Sequence, residues 1–233
     1  MKREWQTMIL IKTLDILLRN TYKMTNKTKF LGVIANADSS ILKVQLEHGF
    51  KIESLDLDNG LTLIANLEDL DRFEAMNKLG INSCINQAEQ KIFFVTNSIE
   101  YEPDKKQEMI SKFNVELEND YLRRIFRLIR LFKMGNICVP FKYYFKDIEP
   151  PRSFIRTDMI LTVLNEPFSL ADSEIPDLQQ FIKDTHLPFK DSYVQLAFEN
   201  FELSYDTIIL NLSFLALMIS LEVLFNPGKD EVT

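Results

Sequence analysis

The sequence LRRIFRLIRLFKMGNICVPFKYYF, residues Leu122–Phe145, contains the two patterns on which the fold depends. Its first part continues a helical pattern that begins at Asp104 and stops before Gly135. Its second part lies in the segment Asn136–Lys146, which we expect to be extended, with Pro140 placing it at a sheet edge or in a loop. A long helix that leads directly into an extended segment predicts a fold with both α and β structure.

The predicted helix, Asp104–Met134, has one apolar face. Apolar residues recur along it every three or four positions: Met109, Phe113, Leu117, Tyr121, Ile125, Leu128 and Phe132. Asp104 is placed as the N-cap, and Gln107 is placed to complete a capping box. We expect one unbroken helix whose apolar face packs inward.

The region before Tyr101 has the short, partly alternating runs that are typical of strands. We expect strands at Phe30–Ala35, Ile41–Leu46, Gly49–Leu57, Leu61–Leu67 and Gln90–Tyr101. Asn59-Gly60 lies between two of these runs and predicts a tight hairpin turn. Helical spacing predicts two helices in the same region, Glu4–Arg19 and Leu67–Leu79.

The pattern becomes mainly helical after Pro150-Pro151, which indicates a boundary. An extended run, Asp158–Asn165, precedes expected helices at Glu174–Asp184, Asp191–Leu203 and Thr207–Phe225. We therefore predict an α+β fold. Its strand-rich N-terminal region, 1–150, has no assigned role, and its C-terminal part, 151–233, is all-helical.

Composition limits the classes of partner. The 233 residues carry a formal net charge of −7, which argues against a whole-chain electrostatic hold on nucleic acid and leaves only a local basic patch. Cys84 and Cys138 are far apart and lie in no CxxC pattern, so they are interpreted as reduced core thiols of a cytoplasmic protein.

The sequence offers few groups for catalysis. It contains no Gly-rich phosphate loop, nucleophile elbow or metal-ligand cluster, so no cofactor and no metal is expected. His48 and His186 are the only histidines, and no HxxE or HxH spacing accompanies them. We predict that neither histidine is catalytic.

A basic cluster lies on the long helix. Arg123, Arg127 and Arg130 are spaced four and three residues apart and share a face, which makes them candidates for contact with RNA phosphates. The alternative is a solvated or internally paired face, because the chain is acidic. We expect Arg124, Arg127 and Lys133 to remain largely exposed.

The last stretch, Asn211–Thr233, reads NLSFLALMISLEVLFNPGKDEVT. It predicts a strongly apolar helix that ends at Asn226-Pro227-Gly228, with a charged start of another helix after it. A helix this apolar must pack against others. We therefore interpret the sequence as a fragment, with uncovered apolar side chains around Leu212, Leu215, Ile219 and Val223. A membrane anchor at Thr207–Phe225 is a weaker interpretation, because the run is short and interrupted by polar residues.

Glu222 is the one acidic residue inside this apolar helix. A buried carboxylate is costly unless it is paired. Glu222 is therefore a candidate to support a neighbouring helix that carries an active site, and the alternative places it at a polar edge of the helix.

Two stretches resemble the Apea-like branch of the HEPN superfamily. The first is the opening quotation, whose IRLFKMGNICVP, Ile129–Pro140, is similar to the "LRLFKxGxVxxP" segment of these proteins. The second is VQLAFENFELSY, Val194–Tyr205, which runs into LSFLALMISLEVLFNPGKDEVT, Leu212–Thr233. The resemblance covers the chain from about Leu122 onward.

The resemblance implies a small helical bundle that often dimerises. Active HEPN proteins are metal-independent RNases with an Arg, a polar neighbour and a His on a late helix, and other relatives are binding modules without catalysis. This sequence has no Arg or His after His186, so no catalytic residue is assigned. The expected function is that of an intracellular HEPN protein, RNA-cleaving or RNA-associated in its full-length form, in a defence or toxin-like context. The alternative is a non-enzymatic binding or dimerisation module.

Overall fold

Strands gather in the N-terminal half of the chain and helices mostly in the C-terminal half. A computed structural model describes residues 27–100, 118–133, 135–145, 153–156, 167–207 and 209–225. The strands are β1 Lys27–Ala35, β2 Lys51–Asp56, β3 Ile85–Asn86, β4 Lys91–Glu100, β5 Cys138–Phe145 and β6 Ser153–Arg156. The helices are α1 Leu57–Glu68, α2 Arg72–Ile81, α3 Glu118–Phe132, α4 Glu174–Asp184, α5 Ser192–Asp206 and α6 Leu210–Phe225. The predicted α+β class is confirmed. The prediction that residues 151–233 are all-helical is wrong, because β6 lies within them.

The described strands form one antiparallel sheet in the order β2-β4-β1-β5-β6, with β3 beside β4. Val33 in β1 lies opposite Phe94 in β4 and Phe141 in β5. The register between β1 and β5 shifts between Val33 and Ala35, and Pro140 lies at this irregularity, where a missing backbone N–H is tolerated. β5 pairs with β1 on one side and β6 on the other, so the prediction that Pro140 marks an edge or a loop is wrong.

Each face of the sheet carries a separate apolar core, because successive strand residues point to opposite faces. The first core packs the sheet against α3 and α4, through Phe30, Ile34, Phe93, Val95, Leu122, Ile125, Phe126, Ile129 and Leu178. The second core packs it against α1 and α2, through Leu31, Val33, Ile92, Phe94, Leu61, Ile64, Ala75 and Leu79. The predicted apolar face of the long helix is confirmed for Tyr121, Ile125 and Leu128, which are buried, and for Phe132, which is half-buried.

The predicted strand Leu61–Leu67 and the predicted hairpin turn at Asn59-Gly60 are wrong. These residues lie in α1, which begins directly after β2. Asp56 caps the helix, because its Oδ1 accepts from the backbone N–H of Asn59 at 2.9 Å. Gly60 faces the sheet, and a Cβ there would lie 2.7 Å from Cδ1 of Ile92. The glycine therefore serves close packing of helix on sheet, and not a turn.

Two other predicted elements also differ. Ile41–Leu46 was expected to be a strand, and a 3₁₀ helix occupies Ser39–Lys43 instead, capped by the Asp38 side chain. Leu67–Leu79 was expected to be one helix, but Asp69 takes a left-handed conformation that ends α1, and Asp71 starts α2 with a full capping box. Capping residues determined the local structure at both positions, and the apolar pattern does not record such caps.

Other predicted elements are confirmed within one to three residues at most ends. These are the strands Phe30–Ala35, Gly49–Leu57, Gln90–Tyr101 and Asn136–Lys146, and the helices Glu174–Asp184, Asp191–Leu203 and Thr207–Phe225. The predicted helix Glu4–Arg19, the cap at Asp104 and the extended run Asp158–Asn165 lie outside the described residues.

The segment after residue 166 returns to the sheet. The backbone N–H of Phe168 donates to the carbonyl of Asn36 at 2.7 Å, and the N–H of Asp38 donates to the carbonyl of Phe168 at 3.2 Å. Phe168 and Leu170 are buried in the first core with Leu178. The core of the N-terminal region therefore includes residues on both sides of the boundary predicted at residue 150.

Candidate functional site

Buried charge joins the basic helix α3 to α5. Glu202 lies inside the contact, and its Oε2 accepts from Nε of Arg127 at 3.0 Å and from Nη2 of Arg130 at 2.5 Å. The side chains of Glu202 and Arg130 are only 7% and 8% exposed, and that of Arg127 is 21% exposed. These buried, charge-assisted hydrogen bonds hold α5, and with it the α5–α6 hairpin, against α3 on the sheet.

Aromatic rings complete this contact. Cζ of Arg127 lies 4.5 Å from the ring centroid of Phe198, and Cζ of Arg130 lies 5.6 Å from that of Tyr205. Burial raises the pKa of Tyr205, against the opposing effects of Arg130 and of a backbone hydrogen bond with Gly135. The two arginines are thus sandwiched between a carboxylate and two rings, which we call the α3–α5 clasp (Arg127, Arg130, Phe198, Glu202 and Tyr205).

The predicted RNA-contact residues therefore separate into two groups. Arg123 is exposed and Arg124 is half-buried, but Arg127 and Arg130 belong to the clasp. The prediction that Arg127 stays largely exposed is wrong, and Arg124 and Lys133 are half-buried. Lys133 donates to Glu174 of α4 at 2.7 Å, and this bond lowers the pKa of Glu174. Internal pairing accounts for much of the basic face, as the alternative interpretation expected.

A pocket of about 370 Å³ opens beside the clasp. It is lined by Arg123, Arg124, Arg127, Leu187, Pro188, Gln195 and Phe198. Three arginines of one helix thus line the pocket together with a short loop and the start of α5.

The terminal helix α6 contacts α5 along one side and exposes apolar side chains elsewhere. Ala216 and Ser220 are buried, and Oγ of Ser213 donates to the carbonyl of Ser204 at 2.6 Å. On the opposite side lie Phe214, Met218, Leu221 and Phe225, which are 63%, 47%, 40% and 79% exposed. The predicted exposure of Leu212, Leu215 and Ile219 is confirmed, at 49%, 53% and 36%.

Comparison with known proteins adds no relative. No family model, curated protein or solved structure matches this chain. The HEPN resemblance therefore rests on the quoted motifs alone.

The remaining candidate residues lie in a turn, in a loop and on α6. His48 is exposed at a turn, 3.9 Å from a carboxylate oxygen of Glu47, and His186 is exposed in the loop before α5. Glu222 is exposed on α6 and not buried, and its support of a further helix stays a prediction. In the part of the chain that the structure describes, no group of three or more His, Cys, Asp or Glu side chains could hold a metal ion.

The two cysteines are buried in the second core. Burial, with a smaller effect from Cys138, raises the pKa of the Cys84 thiol well above its ordinary value. A thiol with a raised pKa is a poor nucleophile at neutral pH. The interpretation of both cysteines as core residues is consistent with their position.

Glu202 is the site residue that the sequence analysis missed. Phe198, Glu202 and Tyr205 are spaced four and three residues apart, so they share one face of α5. A carboxylate in line with two aromatic residues indicates a buried acid that needs a cation. The basic face of α3 was the complementary signal.

None of the described helices combines the length and the apolar character required to cross a bilayer. The weaker interpretation of Thr207–Phe225 as a membrane anchor gains no support from α6, which is 16 residues long.

Proposed function

We propose that this chain is the assembly module of a HEPN-like protein, in which the α5–α6 hairpin forms a helical bundle with a second copy of itself. The observation that carries the proposal is the exposure of α6, since most of its apolar side chains are not covered by other residues. The quoted motifs that resemble HEPN proteins include both helices of the hairpin. Such bundles often dimerise, which makes a second copy the expected occupant.

The spacing of the exposed residues favours another helix as partner. Phe214, Met218, Leu221 and Phe225 recur at intervals of four, three and four, and they form a stripe that is typical of a helix–helix seam. Glu222 is the only charged residue in α6. The stripe therefore has no charge pattern that would favour a partner of opposite charge over a second copy of the chain. A self-complementary apolar seam is the kind of surface that a two-fold dimer uses.

The exposed area is sufficient for a dimer. The seam residues Phe214, Met218, Leu221 and Phe225 leave roughly 500 Å² uncovered, in the upper part of the range of about 300–600 Å² for the largest patch of a typical monomer. Two such seams would bury about 1,000 Å², the lower limit for a specific interface. The hydrophobic gain from burying this surface favours association and opposes its entropic cost, but area alone does not set the affinity.

The first prediction is that the chain is a dimer at micromolar concentration. Sedimentation velocity between about 1 and 100 μM should show a shift from monomer to dimer as concentration rises. A species that remains monomeric at the highest concentration would contradict the proposed assembly. Larger, open-ended aggregates would also contradict it, because a closed two-fold seam leaves no further surface to extend.

The RNA function of the proposal rests on the HEPN resemblance. In its full-length form the protein would cleave or bind RNA, in a defence or toxin-like context within the cytoplasm. HEPN cleavage uses an Arg and a His on a late helix, and this sequence has no Arg or His after His186. For this chain the non-enzymatic alternative, a binding and dimerisation module, is therefore the better supported part.

The second prediction is that this chain does not cleave RNA without metal. A labelled single-stranded RNA incubated with the chain in EDTA should remain intact, because the late-helix Arg and His that HEPN proteins use to stabilise phosphate charge and to move the 2′-OH proton do not occur after His186. Chains carrying His48→Ala and His186→Ala serve as controls. Cleavage that persists in the wild type and disappears in either variant would place an active site in the described residues and overturn this part of the proposal.

A further inference from the structure

We propose that the pocket between α3 and α5 binds the phosphate group of a small phosphorylated ligand. The pocket brings Arg123, Arg124 and Arg127 to one opening of about 370 Å³, which is within the size range of small-molecule sites. Guanidinium groups match phosphate oxygens in charge and geometry. This inference stands apart from the assembly proposed above, because the pocket does not include α6.

The clasp fixes one arginine of the pocket in advance. Nε of Arg127 is bonded to Glu202, and the flat side of its guanidinium rests on Phe198. That bond does not use the two Nη nitrogens, which form the other edge of the guanidinium. A guanidinium already held by a carboxylate and a ring loses little conformational entropy when it binds an anion.

The opposite wall is also held in place. The backbone N–H of Phe189 donates to Oε1 of Gln195 at 2.8 Å, which ties the loop carrying Leu187 and Pro188 to α5. The ring of Phe189 packs edge-on against Phe198 at a centroid distance of 5.3 Å. The pocket is therefore lined by a loop that is tied to α5 and by two arginines outside the clasp, Arg123 and Arg124.

The local charge suits a phosphate monoester. Among the described residues, three arginines and no acidic residue line the pocket, so its lining is cationic. A phosphate monoester carries about −1.5 to −2 at neutral pH and would offset this charge. The protein as a whole has a net charge of −7, so a polyanion that extends beyond the pocket meets an acidic surface. A small ligand therefore fits the charge distribution better than a nucleic-acid strand.

The test compares AMP with adenosine by isothermal titration calorimetry on the whole chain. We expect AMP to bind at least about tenfold more tightly than adenosine, and inorganic phosphate to compete with it. The double variant Arg123→Ala/Arg124→Ala should weaken AMP binding at least about tenfold, because both groups act directly on the phosphate. Arg72→Ala is the matched control, since Arg72 is an exposed arginine on α2, paired with Asp58, and its loss should leave AMP binding unchanged.

Three results would overturn the proposal: equal binding of AMP and adenosine, no AMP binding at millimolar concentration, or an unchanged affinity in the double variant. A short RNA without terminal phosphates that binds more tightly than AMP, and loses this affinity in the double variant, would replace the small ligand with nucleic acid. Sedimentation of the double variant separates this result from the assembly, because dimer formation should be the same as in the wild type.

Discussion

Replacing Glu202 by alanine is expected to lower the free energy of unfolding by about 3–5 kcal/mol. The change leaves the guanidinium of Arg130, 8% exposed, and that of Arg127 without the carboxylate that both contact. The two cations then lose the carboxylate that offsets their dehydration, and this cost exceeds the loss of the hydrogen bonds themselves. Urea unfolding followed by circular dichroism measures the effect.

Glu199→Ala is the matched control for this change. Glu199 lies one turn before Glu202 on α5, but it is exposed and contacts Gln195. Its removal should change the free energy of unfolding by no more than about 0.5 kcal/mol. If Glu202→Ala behaved like Glu199→Ala, the clasp would not hold the hairpin on the sheet. Glu202→Gln should fall between the two, because it keeps an acceptor and loses the charge.

Replacing Phe214 by glutamate is expected to raise the dimer dissociation constant at least about 100-fold, which corresponds to about 2.8 kcal/mol. Phe214 is 63% exposed and is the first residue of the proposed seam, so the charge would be buried only when two copies associate. Desolvation of two carboxylates and their repulsion across the two-fold axis both oppose association. Sedimentation velocity measures the constant, and thermal unfolding of the dilute monomer should show little change.

Phe73→Glu provides the control for this substitution. Phe73 is an exposed phenylalanine, at 70%, but it lies on α2 at the other face of the sheet. The same change of charge and volume there should leave the dimer intact. Loss of the dimer in both variants would indicate a general effect of net charge. Loss in Phe73→Glu alone would move the interface from α6 to α2.

The regular part of the fold was predictable, because burial on one side leaves a period in the sequence. The three-to-four spacing in α3 and the alternation in β4 follow from one buried helix face and from strand side chains that point to opposite faces. The exposure of α6 was predictable for a related reason. Its apolar side chains lie on every side of the helix, and α5 covers only one of them.

The failures arose where local hydrogen bonds compete with the apolar pattern. Leu61–Leu67 is a short apolar run of a kind that occurs in both strands and helices. Here the cap at Asp56 starts a helix, and Gly60 of this helix packs on Ile92. Ile41–Leu46 is similar, since the Asp38 side chain accepts from the N–H of Ser40 and starts a 3₁₀ turn. A cap of this kind depends on one side chain, and periodicity over a window does not record it.

Sequence alone therefore determined the fold class, the buried stripes and the exposed terminal helix, because each depends on the composition of a continuous segment. Only the tertiary structure decided that Glu202 meets Arg127 and Arg130, which lie 75 and 72 positions earlier in the chain. The packing of α5 on α3 also places Arg123 and Arg124 in the lining of a pocket. The energy of an ion pair depends on the distance between the two charges in space and on their burial. Neither quantity can be read from the local spacing of residues in the sequence.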